Sequence, residues 1–220
     1  MTELRHDLYT AVHKGLRARL FDTAARLSGC DFSDAAARGE VLSQVRTTLA
    51  FLDEHAGHED RFVEPLLASA NPQLARRVAE AHERVEQGGA QVEGLVAAIA
   101  SADAEVAMGR GPELCHAFNV LLSQHVEHMN EEETLANAAL WQAFSDEKLL
   151  EVHGALLGSI APPRMAEWMA LMLPALNYQE RVGMLGGMKQ DAPPEAFQSM
   201  MSLGRQVVGE PWGAVEAALA

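Results

Sequence analysis

Four long segments of this chain carry apolar residues at alternating steps of four and three, the stripe that puts one face of an α-helix into a bundle core. From Ser33 to about Ala68 the stripe reads Val41, Val45, Thr48, Leu52, His55, Glu59, Phe62, Leu66. From Pro112 to about Ala143 it reads Leu114, Phe118, Leu121, His125, His128, Glu132, Leu135, Ala139. Displaced by 73 residues the two stripes superimpose, and His55 and Glu59 fall on His128 and Glu132. A first segment, about Glu3 to Leu27, runs His6, Tyr9, His13, Leu16, Leu20, Thr23, Leu27. A third, about Pro72 to Ala100, runs Val78, His82, Val85, Gly89, Val92, Val96, Ile99. The pattern predicts an all-α fold, an up-down-up-down four-helix bundle.

Polar residues on these apolar stripes carry the candidate chemistry. Threaded antiparallel at about 1.5 Å of rise per residue, His13, His55, His82 and His128 all lie roughly 15 to 22 Å from one end of the bundle, so they share a layer. Within each His-x-x-x-Glu pair the four-residue step turns by only about 40°, and both side chains leave one face. Two buried carboxylates, each costing several kcal/mol if uncompensated against a total stability of about 5 to 15, need a counter-charge. No stripe position in the layer is Lys or Arg. A pair of metal ions held by His13, His55, Glu59, His82, His128 and Glu132 answers that need. Histidine and carboxylate without thiolate favour iron, manganese or zinc over copper(I) or an iron–sulfur cluster.

Neighbouring residues take lesser parts. Register with the second segment selects His128 as the ligand and sets His125 beside the ligands, with ligation by His125 in place of His128 as the alternative. Tyr9, one turn before His13, reads as core within reach of the centre, His58 as partly exposed, and Glu86, one place off its stripe, as either a further ligand or a solvated residue. Gly88 and Gly89 predict a kink or a close helix approach. Leu16, Leu52, Phe62, Val78, Val85, Leu121 and Leu135 are expected to wall the layer and leave little free volume, enough for a diatomic or a small anion. Two Glu-x-x-His spacings, Glu3 to His6 and Glu113 to His116, fall at opposite ends of the threaded bundle and make no common site.

His13, then His55-Ala-Gly-His-Glu59, then His82, then His128-Met-Asn-Glu-Glu132 resembles the hemerythrin-like (HHE cation-binding) family over residues 1 to about 145. The resemblance implies a four-helix bundle around a non-haem di-iron centre, with Glu59 and Glu132 bridging the irons and the four histidines terminal. It also implies a ligand such as oxygen, nitric oxide or peroxide, bound for sensing, storage or redox defence. An enzyme that reduces peroxide or nitric oxide or aids iron-cluster repair is the alternative, and a metal-stabilised interaction module is a third reading. The set departs from that of the oxygen carriers, which place a His-x-x-x-His on the third helix. Here His82 is followed at the fourth position by Glu86.

Charge and composition narrow the setting. The 220 residues carry a net charge of −14, which argues against nucleic-acid or anionic-membrane binding through a basic surface. With no apolar run of membrane-spanning length, no apolar leader and two cysteines that form no close pair, the expected location is the cytoplasm. Beyond the bundle, helix starts are predicted at Ser145, at Pro162-Pro163, at a capping box Asn177 to Glu180 and at Pro193-Pro194. Residues 1–145 thus read as the metal-binding bundle and 146–220 as a helical extension for an oligomer contact or a protein partner. Its methionines, Met165, Met169, Met172, Met184, Met188, Met200 and Met201, read as packing rather than as a soft-metal site.

Overall fold

The computed structural model describes residues 5–220, and every regular element among them is helical. The predicted helix start at Glu3, and with it the Glu3 to His6 spacing, lies outside the described residues. Helix α1 spans Thr10–Ser28. Residues 5–9 precede it as an irregular leader because their polar groups are engaged elsewhere. Arg5 donates to Asp146 Oδ1 and to the carbonyls of Trp141 and Phe144, each at 2.7 Å. Trp141 Nε1 donates to the His6 carbonyl at 2.8 Å, and Asp7 Oδ1 accepts the Tyr9 N–H at 2.9 Å.

Helix α2 (Ala35–His58) starts on Asp34, whose side chain accepts from the N–H groups of Ala36 and Ala37. It passes through a wide turn, Glu59–Val63, into α3 (Glu64–Ala70). Asn71 then caps α4 (Pro72–Ala100), with proline at a first-turn position where no N–H is required. Helix α5 (Ala104–Glu131) begins well before the predicted Pro112, which lies inside it. Asp103 caps this earlier start by accepting from Val106 at 2.9 Å. Beside the proline, Gly111 seats the Phe32 ring so closely that a Cβ would stand 2.3 Å from it. A second wide turn, Glu132–Ala136, leads into α6 (Asn137–Ala143).

These wide turns overturn the predicted stripe beyond each glutamate. Glu64 N–H bonds to the Glu59 carbonyl and Asn137 N–H to the Glu132 carbonyl, five residues back instead of four, so each turn holds one extra residue. The inward row therefore moves on by one. Val63 and Leu67 are buried while Phe62 and Leu66 are only half-buried. Ala136 and Leu140 are buried while Ala139 is half-buried and Leu135 is 46% exposed, so Leu135 does not wall the layer. Tyr9, Val63, Leu67, Leu74, Val78, Ala136 and Leu140 form one continuous core with Leu149.

The chain divides into two compact units. One comprises the chain through Tyr9 with Arg19–Leu156, and so includes most of α7 (Asp146–Ser159). In it the buried Thr23 and Thr48 hydroxyls satisfy each other at 2.9 Å between α1 and α2. Gly88 meets α5 closely: a Cβ would stand 3.0 Å from Gln124 and 3.1 Å from Leu121, whereas Gly89 has nothing nearer than 3.9 Å. The other unit comprises Thr10–Ala18 and Leu157–Ala220. It holds α8 (Pro162–Ala175), α9 (Tyr178–Asp191), α10 (Pro194–Val208) and α11 (Trp212–Leu219). The Asn177–Glu180 capping box is present at the start of α9. Met169, Met200, Leu173, Leu185, Phe197 and Trp212 build its core, with Met165, Met184, Met188 and Met201 packed around them. Gly15 lets α1 approach α8, since a Cβ there would come 3.2 Å from Met172 Cα. Residues Thr10–Ala18 of α1, His13 among them, count with this unit, and the rest of α1 counts with the first. Among the described residues, no helix is long and apolar enough to cross a membrane.

Candidate metal centre

Each half of the centre grows from one helical rod. His55 ends α2 and Glu59 opens the first wide turn, while His128 ends α5 and Glu132 opens the second. The four-residue step brings each imidazole over its own carboxylate, with His55 Nε2 at 3.2 Å from Glu59 Oε1 and His128 Nε2 at 3.3 Å from Glu132 Oε2. His82 reaches across from α4, its Nε2 at 3.5 Å from Glu59 and 3.8 Å from Glu132. The His82 and His128 rings meet edge to face at 4.6 Å.

Two four-residue clusters result. His13, His55, Glu59 and Glu132 each offer an atom within 4.8 Å of the others, and so do Glu59, His82, His128 and Glu132. Every one of these six residues is buried. Both clusters contain both glutamates. His125 is buried beside them but joins neither cluster, and Glu86 is exposed.

The electrostatics show why these donors suit cations. Burial, and after it the charges of Glu59, Glu131, Glu133 and Glu64, hold the Glu132 carboxyl well above the ordinary carboxylate range. Burial presses the His128 imidazole down to about 3, against the pull of Glu59 and with the push of His82, His125 and His55. At His82 burial acts downward too, yet Glu59 and Asp60 outweigh it and raise the ring to about 9. Tyr9 is kept protonated by burial and by the Glu132 and Glu59 charges. Two carboxyl groups thus share one buried layer with imidazoles around them, and no Lys or Arg is among the groups that shift Glu132 or His82. His82 Nε2 and His128 Nδ1 are shut from solvent without a hydrogen-bond partner among the described residues. The nitrogen and oxygen donors fit a pair of divalent transition-metal ions.

Residues 5–139 match the family model of the hemerythrin HHE cation binding domain. The chain belongs to this family. The HHE match ends inside α6 and covers both wide turns. Among curated proteins and among solved structures, nothing matches the chain.

Two features of this HHE domain were missed from sequence. Asp60 Oδ1 lies 2.7 Å from His82 Nδ1, the carboxylate–imidazole arrangement that fixes a ring so that its other nitrogen can face a metal. Asp60 is off the apolar stripe, and its only signal was adjacency to Glu59. The second feature is a groove of about 630 Å³ along α2 and α4, floored by Leu49, Leu52 and Val85 and reaching His82, Asp60 and His125. His82 is the one residue of the two inner clusters among its lining, so the groove runs outside the layer of His13, His55, Glu59, His128 and Glu132. Small residues open it, Ala56 and Gly57 on one helix and Gly89 and Ala90 on the other.

Proposed function

We propose that the bundle holds two iron ions, for which Glu59 and Glu132 would be carboxylate ligands common to both and His13, His55, His82 and His128 would be the imidazole ligands. The membership of both glutamates in both clusters carries this reading, because a carboxylate has two oxygens and can serve two ions at once. Iron so bound supplies a site for oxygen, nitric oxide or peroxide and a change of oxidation state. The protein's own part is to hold and shield. Asp60 orients His82, protonated Tyr9 and the apolar row of Val63, Val78 and Ala136 exclude water on one side, and the groove admits the ligand on another. The function is small-ligand binding for sensing, storage or redox defence in the cytoplasm, with residues 1–145 as the metal-binding body and 146–220 as an extension for protein contacts.

A second reading, a di-iron enzyme reducing peroxide or nitric oxide, draws on the groove, whose volume lies within the range of small-molecule sites of about 300 to 1,000 Å³. Metal analysis of protein purified anaerobically after iron-replete expression should find two irons per chain, and azide should add a charge-transfer band that Glu59→Ala abolishes. One zinc with no second metal sinks the proposal. His128→Ala should lose metal while His125→Ala keeps it. Turnover of peroxide or nitric oxide with a supplied reductant selects the enzyme.

A further inference from the structure

His82 has two faces. Its Nε2 looks inward at Glu59 and Glu132, whereas Nδ1 looks outward, 2.7 Å from Asp60 Oδ1 and 4.0 Å from Glu64 Oε1. Atoms of Asp60, Glu64 and His82 all lie within 4.8 Å of one another, a donor group separate from the two inner clusters. Two carboxylates and an imidazole suit the same divalent ions as the inner donors. Asp60 lies in the first wide turn and Glu64 is the residue that closes it, one helical turn further on. Glu64 Oε1 is shut from solvent and accepts no hydrogen bond among the described residues, and the His82 side chain is 10% exposed. The Glu64 side chain is 27% exposed overall, with this one oxygen turned from solvent toward the buried ring.

The groove ends at this group. Its lining carries Asp53, Asp60, Glu86 and Glu93 against a single arginine, Arg46, which is itself paired with Glu93 at 3.3 Å. Carboxylates over an apolar floor focus a negative potential and draw cations inward. We propose that Asp60, Glu64 and the Nδ1 face of His82 form an outer capture site for a divalent transition-metal ion, at the inner end of a groove through which the paired centre is loaded. The inference rests on the di-iron reading. The imidazole is the common wall of the two sites, so an ion held outside stands one ring away from the inner carboxylates. Once the inner ions are in place, Nδ1–H donates to Asp60 and the same contact holds His82 on its inner metal.

Anaerobic stopped-flow mixing of the full-length apo-protein with Fe²⁺, followed by desalting and iron analysis, tests this. Wild type should end with two irons per chain. Glu64→Gln should reach the same content about tenfold more slowly, and added salt should slow wild type more than the variant. The exposed pair Asp53→Asn with Glu86→Gln, chosen because neither residue supports the core, should also slow loading. Loading as fast as wild type in both variants overturns the capture site. Loss of iron at equilibrium in Glu64→Gln also overturns it, since Glu64 then belongs to the inner donors. If wild type itself takes up no pair of ions, the di-iron reading is what fails.

Discussion

The two wide turns, Glu59–Val63 and Glu132–Ala136, share an inner face and differ in their outer one. Each opens with a glutamate of both clusters, each accepts an N–H from five residues on, and each moves the apolar row forward by one place. Outside the first lie Asp60, Glu64 and the groove. At the place in the second that matches Glu64 stands Asn137, whose amide donates to Asp7 Oδ1 at 3.0 Å, so the leader closes that side. The difference teaches that inner chemistry and access are set separately. One half is built to admit and the other to seal.

Four experiments press on that comparison. The largest effect should come from the sealed half: Glu132→Gln removes a residue common to both clusters and should take bound iron from two per chain to none, whereas His13→Ala, in one cluster, should leave one. Retention of both irons in Glu132→Gln, by elemental analysis, would falsify the shared-carboxylate arrangement. Next is the common register. Leu67→Ala and Leu140→Ala, both buried behind a wide turn, should each cost about 2 to 5 kcal/mol in denaturant unfolding, while exposed Leu135→Ala should stay within about 0.5. A costly Leu135→Ala would mean that the second turn is an ordinary α-helix.

A third test uses pH. His82 is raised to about 9, so its stabilisation of the apo-protein is complete below the unfolded value near 6.5 and is lost as pH rises through 9, a change on the order of 3 kcal/mol. Glu132, also raised, acts in the same direction as pH climbs. His128, lowered to about 3, costs stability only as pH falls below the unfolded value, outside this window. Apo-protein should therefore weaken between pH 6.5 and 9 while iron-loaded protein stays level, and a flat apo profile contradicts the His82 environment. The smallest effect belongs to the orienting carboxylate: Asp60→Asn should weaken metal affinity by about 10- to 100-fold. Glu133→Gln, at the matching place in the sealed turn, should leave it unchanged, and equal losses would erase the asymmetry.

Much of this was legible in the chain and some was not. The Asn177 capping box, the starts at Pro72, Pro162-Pro163 and Pro193-Pro194 and the layer of four histidines follow from local rules, because spacing on a helix fixes direction, whereas Pro112 does not start α5. The wide turns do not. Beyond Glu59 both Phe62/Leu66 and Val63/Leu67 are apolar, and beyond Glu132 both Leu135/Ala139 and Ala136/Leu140 are, so either row satisfies a periodic stripe. Burial around the centre decides between them. The leader was misread for a related reason: His6 and Tyr9 fit a helical stripe, but Arg5, His6 and Asp7 are held by partners more than a hundred residues away, which no local pattern encodes. Asp60 escaped notice because its role depends on a ring from another helix.

The 73-residue displacement relates α2 to α5 alone, since His13 and His82 stand 69 residues apart. Residues around α1 and α2 supply one histidine followed by one His-x-x-x-Glu with a wide turn, and those around α4 and α5 supply the same kit again. A helical hairpin of that design is half of a two-ion site, and two such hairpins brought together, whether as separate copies or joined end to end, would complete it. Carried in one chain, the halves need not be identical. Only then can one copy keep a carboxylate where the other takes an amide, and a doorway on one side be matched by a wall on the other.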